Sequence, residues 1–226
     1  PEPRWEMGDA SPATDLTLEA WMSQLPAWTK ERSICELALP GAHNAAATSV
    51  ECIPTNILAP YLGETLSNVS LIQMLAKPVA KVPALCQSDS IFCLLQRGIR
   101  LLDLRLGMHH QEIHICHTVV CSTMLRGVLV ELRRFLHEHP EEVVVLLIKR
   151  DWEHRYFDTN ENWLKTQEML KEELGEMLML EEDMKQPIRS LVKQGRIVLA
   201  MLEMPQFVTH IGFGVLITNG NLLSSW

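Results

Sequence analysis

Short apolar runs alternate with longer stretches of helical spacing along this 226-residue chain. The earliest run, Ile34 to Leu39, reads as a strand that stops at Pro40-Gly41, with His43 and Asn44 just beyond it. Ile99 to Leu106 reads as a second strand. It carries Asp103 and Arg105 on one face, because residues two apart in a strand point the same way. Glu112 to Thr118 is a third, bearing His114 and His117, and Val143 to Ile148 is a fourth. The fourth is apolar throughout, as a strand covered on both faces would be, and it ends in Lys149-Arg150-Asp151. Residues 195–200 give a fifth.

Helical spacing fills the intervals. Leu18, Trp21, Met22, Leu25 and Trp28 predict a helix over 16–28, and Ile91, Leu94 and Leu95 a short one closed by Gln96-Arg97-Gly98. Leu125, Val128, Leu129, Leu132, Phe135 and Leu136 predict another over 123–139, with two more over 163–180 and 183–194. Strand then helix, with charged residues collecting after the strands, is how a parallel β/α barrel is written. The expected fold is therefore α/β, a TIM-type barrel. A doubly wound sheet is the alternative, weakened by the lack of a Gly-rich turn after the first strand.

The expected domain plan is a disordered lead over 1–13, one barrel domain over 14–206 and an atypical tail over 207–226. The domain holds an apolar insertion at 50–85, punctuated by Pro54, Pro60, Pro78 and Pro83. That insertion suits either a packing subdomain or a membrane-facing wedge, to which Lys77 and Lys81 would add attraction for anionic lipid.

Charge narrows the partners. With 28 acidic against 20 basic residues and a net charge of -8, nucleic acid is excluded as an expected partner, since phosphate-backbone binding needs clustered Lys and Arg. Six cysteines without CxxC spacing read as free thiols in a reducing compartment rather than a disulfide framework. No run reaches the ~18 apolar residues of a spanning helix. The expected location is intracellular, either cytoplasmic or peripheral to a membrane.

The candidate chemistry collects at strand ends: His43 and Asn44 after the first strand, Asp103 and Arg105 on the second, His117 on the third and Lys149 on the fourth. Two imidazoles and a guanidinium around one pocket suit phosphodiester cleavage by an internal hydroxyl. One imidazole removes the hydroxyl proton, the other protonates the leaving oxygen, and a ring with an unperturbed pKa of ~6.5 serves both tasks. The guanidinium holds the non-bridging oxygens as charge develops on them.

Leu39-Pro40-Gly41-Ala42-His43-Asn44 resembles the first catalytic box of the phosphatidylinositol-specific phospholipase C X-domain superfamily. Residues 98–105 followed by Ile115-Cys116-His117 resemble its second and third boxes, and 135–149 its next helix and strand. Cys86-Gln87 ahead of the Gly-x-Arg-x-x-Asp-x-Arg strand is similar to the trypanosomatid glycosylphosphatidylinositol-specific group, the nearest likeness.

That resemblance implies His43 as general base on the inositol 2-hydroxyl, His117 as general acid and Arg105 as phosphate clamp. It implies Asp103 as the carboxylate orienting Arg105 or a histidine, with Asn44, Lys149 and Gln87 binding substrate. Calcium-dependent members carry carboxylates at the positions of both Asp103 and Arg105; Arg105 here implies chemistry with no metal and no other cofactor. The implied substrate is phosphatidylinositol or a glycosylphosphatidylinositol anchor, reached peripherally at a membrane surface. Glu203 departs from the basic residues that bacterial members place on the fifth strand, and the chain accounts for only about five strands of an eight-stranded fold. Both departures favour the rival expectation, a catalytically silent X-domain-like module that binds lipid or protein. A second rival, a metal-dependent glycerophosphodiester phosphodiesterase, would want carboxylates in place of Arg105.

Overall fold

The computed structural model describes residues 17–50, 85–118, 120–210 and 212–216. The expected lead over 1–13 and all but the first and last residues of the 50–85 insertion lie outside the described residues.

Among the described residues one seven-stranded mixed sheet forms, in the order β4-β3-β2-β5-β6-β7, with β1 also on β2. The strands are β1 (Gly41–Ala42), β2 (Leu101–His109), β3 (Glu112–His117), β4 (Val120–Met124), β5 (Val144–Arg150), β6 (Val198–Glu203) and β7 (Val215–Leu216). β1, β2, β5, β6 and β7 run parallel, as a β/α barrel requires. Among the described residues the sheet is open and does not close into a barrel. β7 shows that part of the expected atypical tail joins the sheet, pairing Val215 and Leu216 with Met201 and Leu202.

Two expected strands are corrected. Ile34–Glu36 is a 3-10 turn, not a strand. Glu36 reaches back to accept from the Ser33 backbone N–H at 2.8 Å and the Ser33 hydroxyl at 3.0 Å, a reciprocal cap that outcompetes extension. Pairing with β2 starts at Gly41, next to the Pro40 carbonyl, which accepts the N–H groups of Arg100 and Leu101. The third strand, expected parallel, is instead antiparallel to β2 and continues antiparallel into β4, which the apolar pattern did not announce. His110 and Gln111, both at positive φ (47° and 65°), form the two-residue turn whose twist matches a hairpin.

The helices follow their apolar stripes. Among the described residues the helices are α1 (Ala27–Lys30), α2 (Ile91–Gln96), α3 (Leu125–Glu138), α4 (Asn160–Leu174) and α5 (Ile188–Lys193). All six stripe residues of α3, from Leu125 to Leu136, are buried. The helix expected over 16–28 is only a 3-10 turn, Leu18–Ala20, followed by α1; Pro26, which has no N–H to continue a helix, sits at the N-cap between them.

Beneath the strands' N-terminal ends, Arg100 and Glu142 form a fully buried ion pair at 2.6 Å. Arg100 also donates to the carbonyls of Leu95, Ile99 and Glu19, while Glu142 accepts from the backbone of Met22 and Ser23. The N-terminal segment is thereby fastened to the bottom of the sheet, opposite the candidate site.

Candidate active site

β1 ends where the chain turns sharply, with Asn44 and Ala46 both at positive φ (49° and 65°). Asn tolerates that region better than most residues. The turn is pinned to β2 by the Ala45 N–H donating to the Asp103 carbonyl at 2.8 Å. His43 is thrown outward, its side chain 69 % exposed, with Nδ1 2.8 Å from Asp103 Oδ2.

Asp103 is the hub. Its side chain is only 7 % exposed, and besides His43 it meets Arg105 Nη2 at 3.1 Å and Lys149 Nζ at 3.6 Å. The register explains the grouping: Arg105 pairs with Lys149, and Lys149 with Glu203, so three charged residues share one row across β2, β5 and β6. Asp103 lies two residues earlier on the same face of β2. A buried carboxylate pairs with cations or shifts its proton affinity, and here the cations stand where a strand-end ligand would meet them.

His117 ends β3, and its Nδ1 lies 3.2 Å from the Cys86 sulfur. Asn44 Nδ2 points at the same sulfur from 3.5 Å. The Cys86-Gln87 segment is strapped to the β1 turn: both N–H groups donate to the Ala47 carbonyl, and Gln87 Nε2 donates to the His43 carbonyl at 2.8 Å. Gln87 therefore supports the backbone that carries His43, and Ser90 takes the cap of α2.

Asp151 joins the two halves of the site. It follows β5, is 2 % exposed, and hydrogen-bonds through its own N–H to the Leu106 carbonyl. Burial pushes its carboxyl above the ordinary range, against the pull of the Glu153 and Thr118 N–H groups and the nearby charges of His117 and Arg105. All seven expected residues thus fall at one end of the parallel strands. Asp151 and the contact of Cys86 with His117 were not expected, although Asp151 follows Lys149-Arg150 where barrel chemistry gathers. His114, by contrast, is a core histidine, buried and bonded to the Ser122 carbonyl at 2.9 Å.

Solved structures share this architecture. The phosphatidylinositol-specific phospholipase C of Listeria monocytogenes aligns with a TM-score of 0.62 at 19 % identity, over 91 % of this chain and 65 % of that one. A double mutant of the Staphylococcus aureus enzyme aligns with a TM-score of 0.61 at 18 % identity, over 88 % of this chain and 56 % of that one. At such identities the likeness establishes the fold, that of bacterial phosphatidylinositol-specific phospholipases C.

Residues 67–200, more than half the chain, match the family "Phosphatidylinositol-specific phospholipase C, X domain". The chain belongs to that family. PI-PLC X domain-containing protein 3 of Danio rerio is 28 % identical over 177 residues, covering 76 % of this chain and 53 % of the relative. PI-PLC X domain-containing protein 2 of Mus musculus is 30 % identical over 149 residues, covering 64 % and 41 %. The chain thus spans about half the length of the curated relatives it matches. His43 and Asn44 lie before the matched span. No helix among the described residues is long and apolar enough to cross a membrane.

Proposed function

We propose that this chain carries the phosphate-handling site of a phosphodiesterase that cleaves phosphatidylinositol or its glycosylated anchors without a metal. His43 removes the proton of the inositol 2-hydroxyl, and the freed oxygen attacks phosphorus. The bond from phosphorus to the diacylglycerol oxygen breaks as His117 supplies a proton to that oxygen. Diacylglycerol and an inositol 1,2-cyclic phosphate are released. Arg105 binds the non-bridging oxygens, while Asp103 holds His43 and Arg105 in orientation. Lys149, with Glu203 beside it, offers a donor and an acceptor to the inositol hydroxyls.

The observation that carries this reading is the buried carboxylate of Asp103, held at once by His43, Arg105 and Lys149. With those groups filling its surroundings, a divalent cation placed there would face two fixed positive charges at close range. The combination of His-Asn with Asp-x-Arg resembles the trypanosomatid group, which supports glycosylated anchors as substrates. Trp152 and Phe207, each 65 % exposed and each just past the C-terminal end of neighbouring strands β5 and β6, support peripheral contact with a membrane.

Incubation with phosphatidylinositol vesicles in EDTA, followed by phosphorus NMR, tests the reading. It expects cyclic inositol phosphate that survives chelation and disappears in His43→Ala. Release that needs calcium would overturn the metal-free chemistry. Glu203 beside Lys149, where bacterial members carry basic residues, favours a second reading, a silent lipid-binding module, which would bind the same vesicles and release nothing.

A further inference from the structure

The sulfur of Cys86 is the meeting point of two polar side chains. His117 Nδ1 stands 3.2 Å away and Asn44 Nδ2 3.5 Å away. Asn44 is buried, and its carboxamide Oδ1 has no hydrogen-bond partner among the described residues. A buried acceptor left unsatisfied costs about 1–3 kcal/mol; the amide turns Nδ2 to the sulfur, and a thiol S–H is only a weak donor, so the position calls for a stronger one. A hydroxyl carried on the sulfur would supply it. Cys86 is half-buried, and the strapping to the Ala47 carbonyl fixes its place.

We propose that Cys86 is a redox-modification site, converted by a hydroperoxide to a sulfenic acid that His117 helps form and Asn44 helps hold. His117 takes the thiol proton, and the sulfur attacks one oxygen of the peroxide. The S–O bond forms as the O–O bond breaks, and the proton passes to the departing oxygen, which leaves as water or an alcohol. Sulfur loses two electrons and the peroxide gains them. The new S–O–H group can donate to Asn44 Oδ1. A thiol reductant reverses the step by way of a mixed disulfide.

Exposure alone would select different thiols. Cys35 and Cys93 are exposed, whereas Cys116 is buried. The Cys35 thiol is pushed up by its partial burial and by the neighbouring charge of Glu36, which reduces the thiolate that an oxidant needs. Selectivity for Cys86 would therefore report its paired environment and not its accessibility.

The test treats the full chain with limiting hydrogen peroxide in the presence of dimedone, which traps sulfenic acids, and reads each cysteine by peptide mass. Cys86 is expected to label about a hundredfold faster than Cys35 and Cys93, the low end of what a positioned base contributes. His117→Gln and Asn44→Ala are each expected to remove most of that advantage. Labelling of Cys86 no faster than Cys35 and Cys93, or an advantage that persists in both variants, overturns the proposal.

A functional consequence rests on the proposed phosphodiesterase: oxygen on this sulfur occupies the side of His117 that orients its ring, so peroxide should abolish lipid cleavage until a reductant is added. The two ideas fail separately. Selective labelling of a protein that cleaves no lipid would sink the phosphodiesterase and leave the redox site standing; cleavage without selective labelling would do the reverse.

Discussion

Replacing Asp103 by asparagine keeps its shape and removes the charge on which His43, Arg105 and Lys149 converge. In the proposed reaction His43 becomes positively charged as it takes the inositol proton, and Asp103 Oδ2 sits 2.8 Å from its Nδ1. At that separation two unit charges interact by roughly 6 kcal/mol at an effective dielectric of about 20, and by roughly 1.5 kcal/mol in bulk water. Because the His43 side chain is 69 % exposed, the lower half of that bracket applies, about 2–3 kcal/mol. That corresponds to a fall in kcat of about 30- to 150-fold. KM should not rise, because the lost carboxylate repelled the substrate phosphate while its loss leaves Arg105 and Lys149 in the pocket. Initial rates on phosphatidylinositol in mixed micelles, with circular dichroism to verify folding, measure both constants. A folded Asp103→Asn whose kcat stays within about threefold of the parent, or whose defect lies in KM alone, would refute the assignment.

Three further outcomes follow from the packing. Glu142→Gln leaves the fully buried Arg100 without its counter-charge, which costs about 3–5 kcal/mol. At ~2–4 °C per kcal/mol the thermal midpoint should drop by roughly 6–20 °C, and an unchanged melt would contradict the role given to that pair. Gly107→Ala would drive its Cβ into the His154 ring and to 2.6 Å from the Cys116 sulfur, both residues being fully buried. Its urea midpoint should fall by the equivalent of about 1–3 kcal/mol. Burial holds the His154 imidazole down at about 4, from an ordinary 6.5. The unfolded chain therefore binds a proton that the folded chain refuses, and stability should decline as pH falls from about 6.5 to 4, by about 3 kcal/mol in total. The raised carboxyl of Asp151 bends the profile the other way, so the readout is the difference between the parent and His154→Gln; identical slopes in the two would sink the assignment.

How much of this was legible in the sequence depends on whether spacing or local competition decided the element. The stripe from Leu125 to Leu136 and the apolar run of β5 predicted their elements nearly to the residue, because burial dominates there. Asp103 and Arg105 were legible as a pair, since strand alternation alone puts them on one face, and they do hydrogen-bond. The direction of β3 was not legible. It follows from a two-residue turn built by His110 and Gln111, which carry none of the Gly or Asn signal that marks such turns. Ile34–Glu36 misled in the opposite sense: its apolar character suggested a strand, but the Ser33–Glu36 cap won locally. Convergence of Cys86 and Asp151 on His117 was beyond reach for a different reason. It depends on tertiary placement of segments 31 and 34 residues away in sequence, from 86 and 151 to 117.

A crystal structure of the protein soaked with inositol 1,2-cyclic phosphate would show directly where the phosphorus sits. The phosphate oxygens should lie within hydrogen-bond reach of Arg105, with His43 and His117 on opposite sides of the same phosphorus. A phosphate bound away from Asp103, or one that touches a single histidine and no guanidinium, would contradict the proposed chemistry.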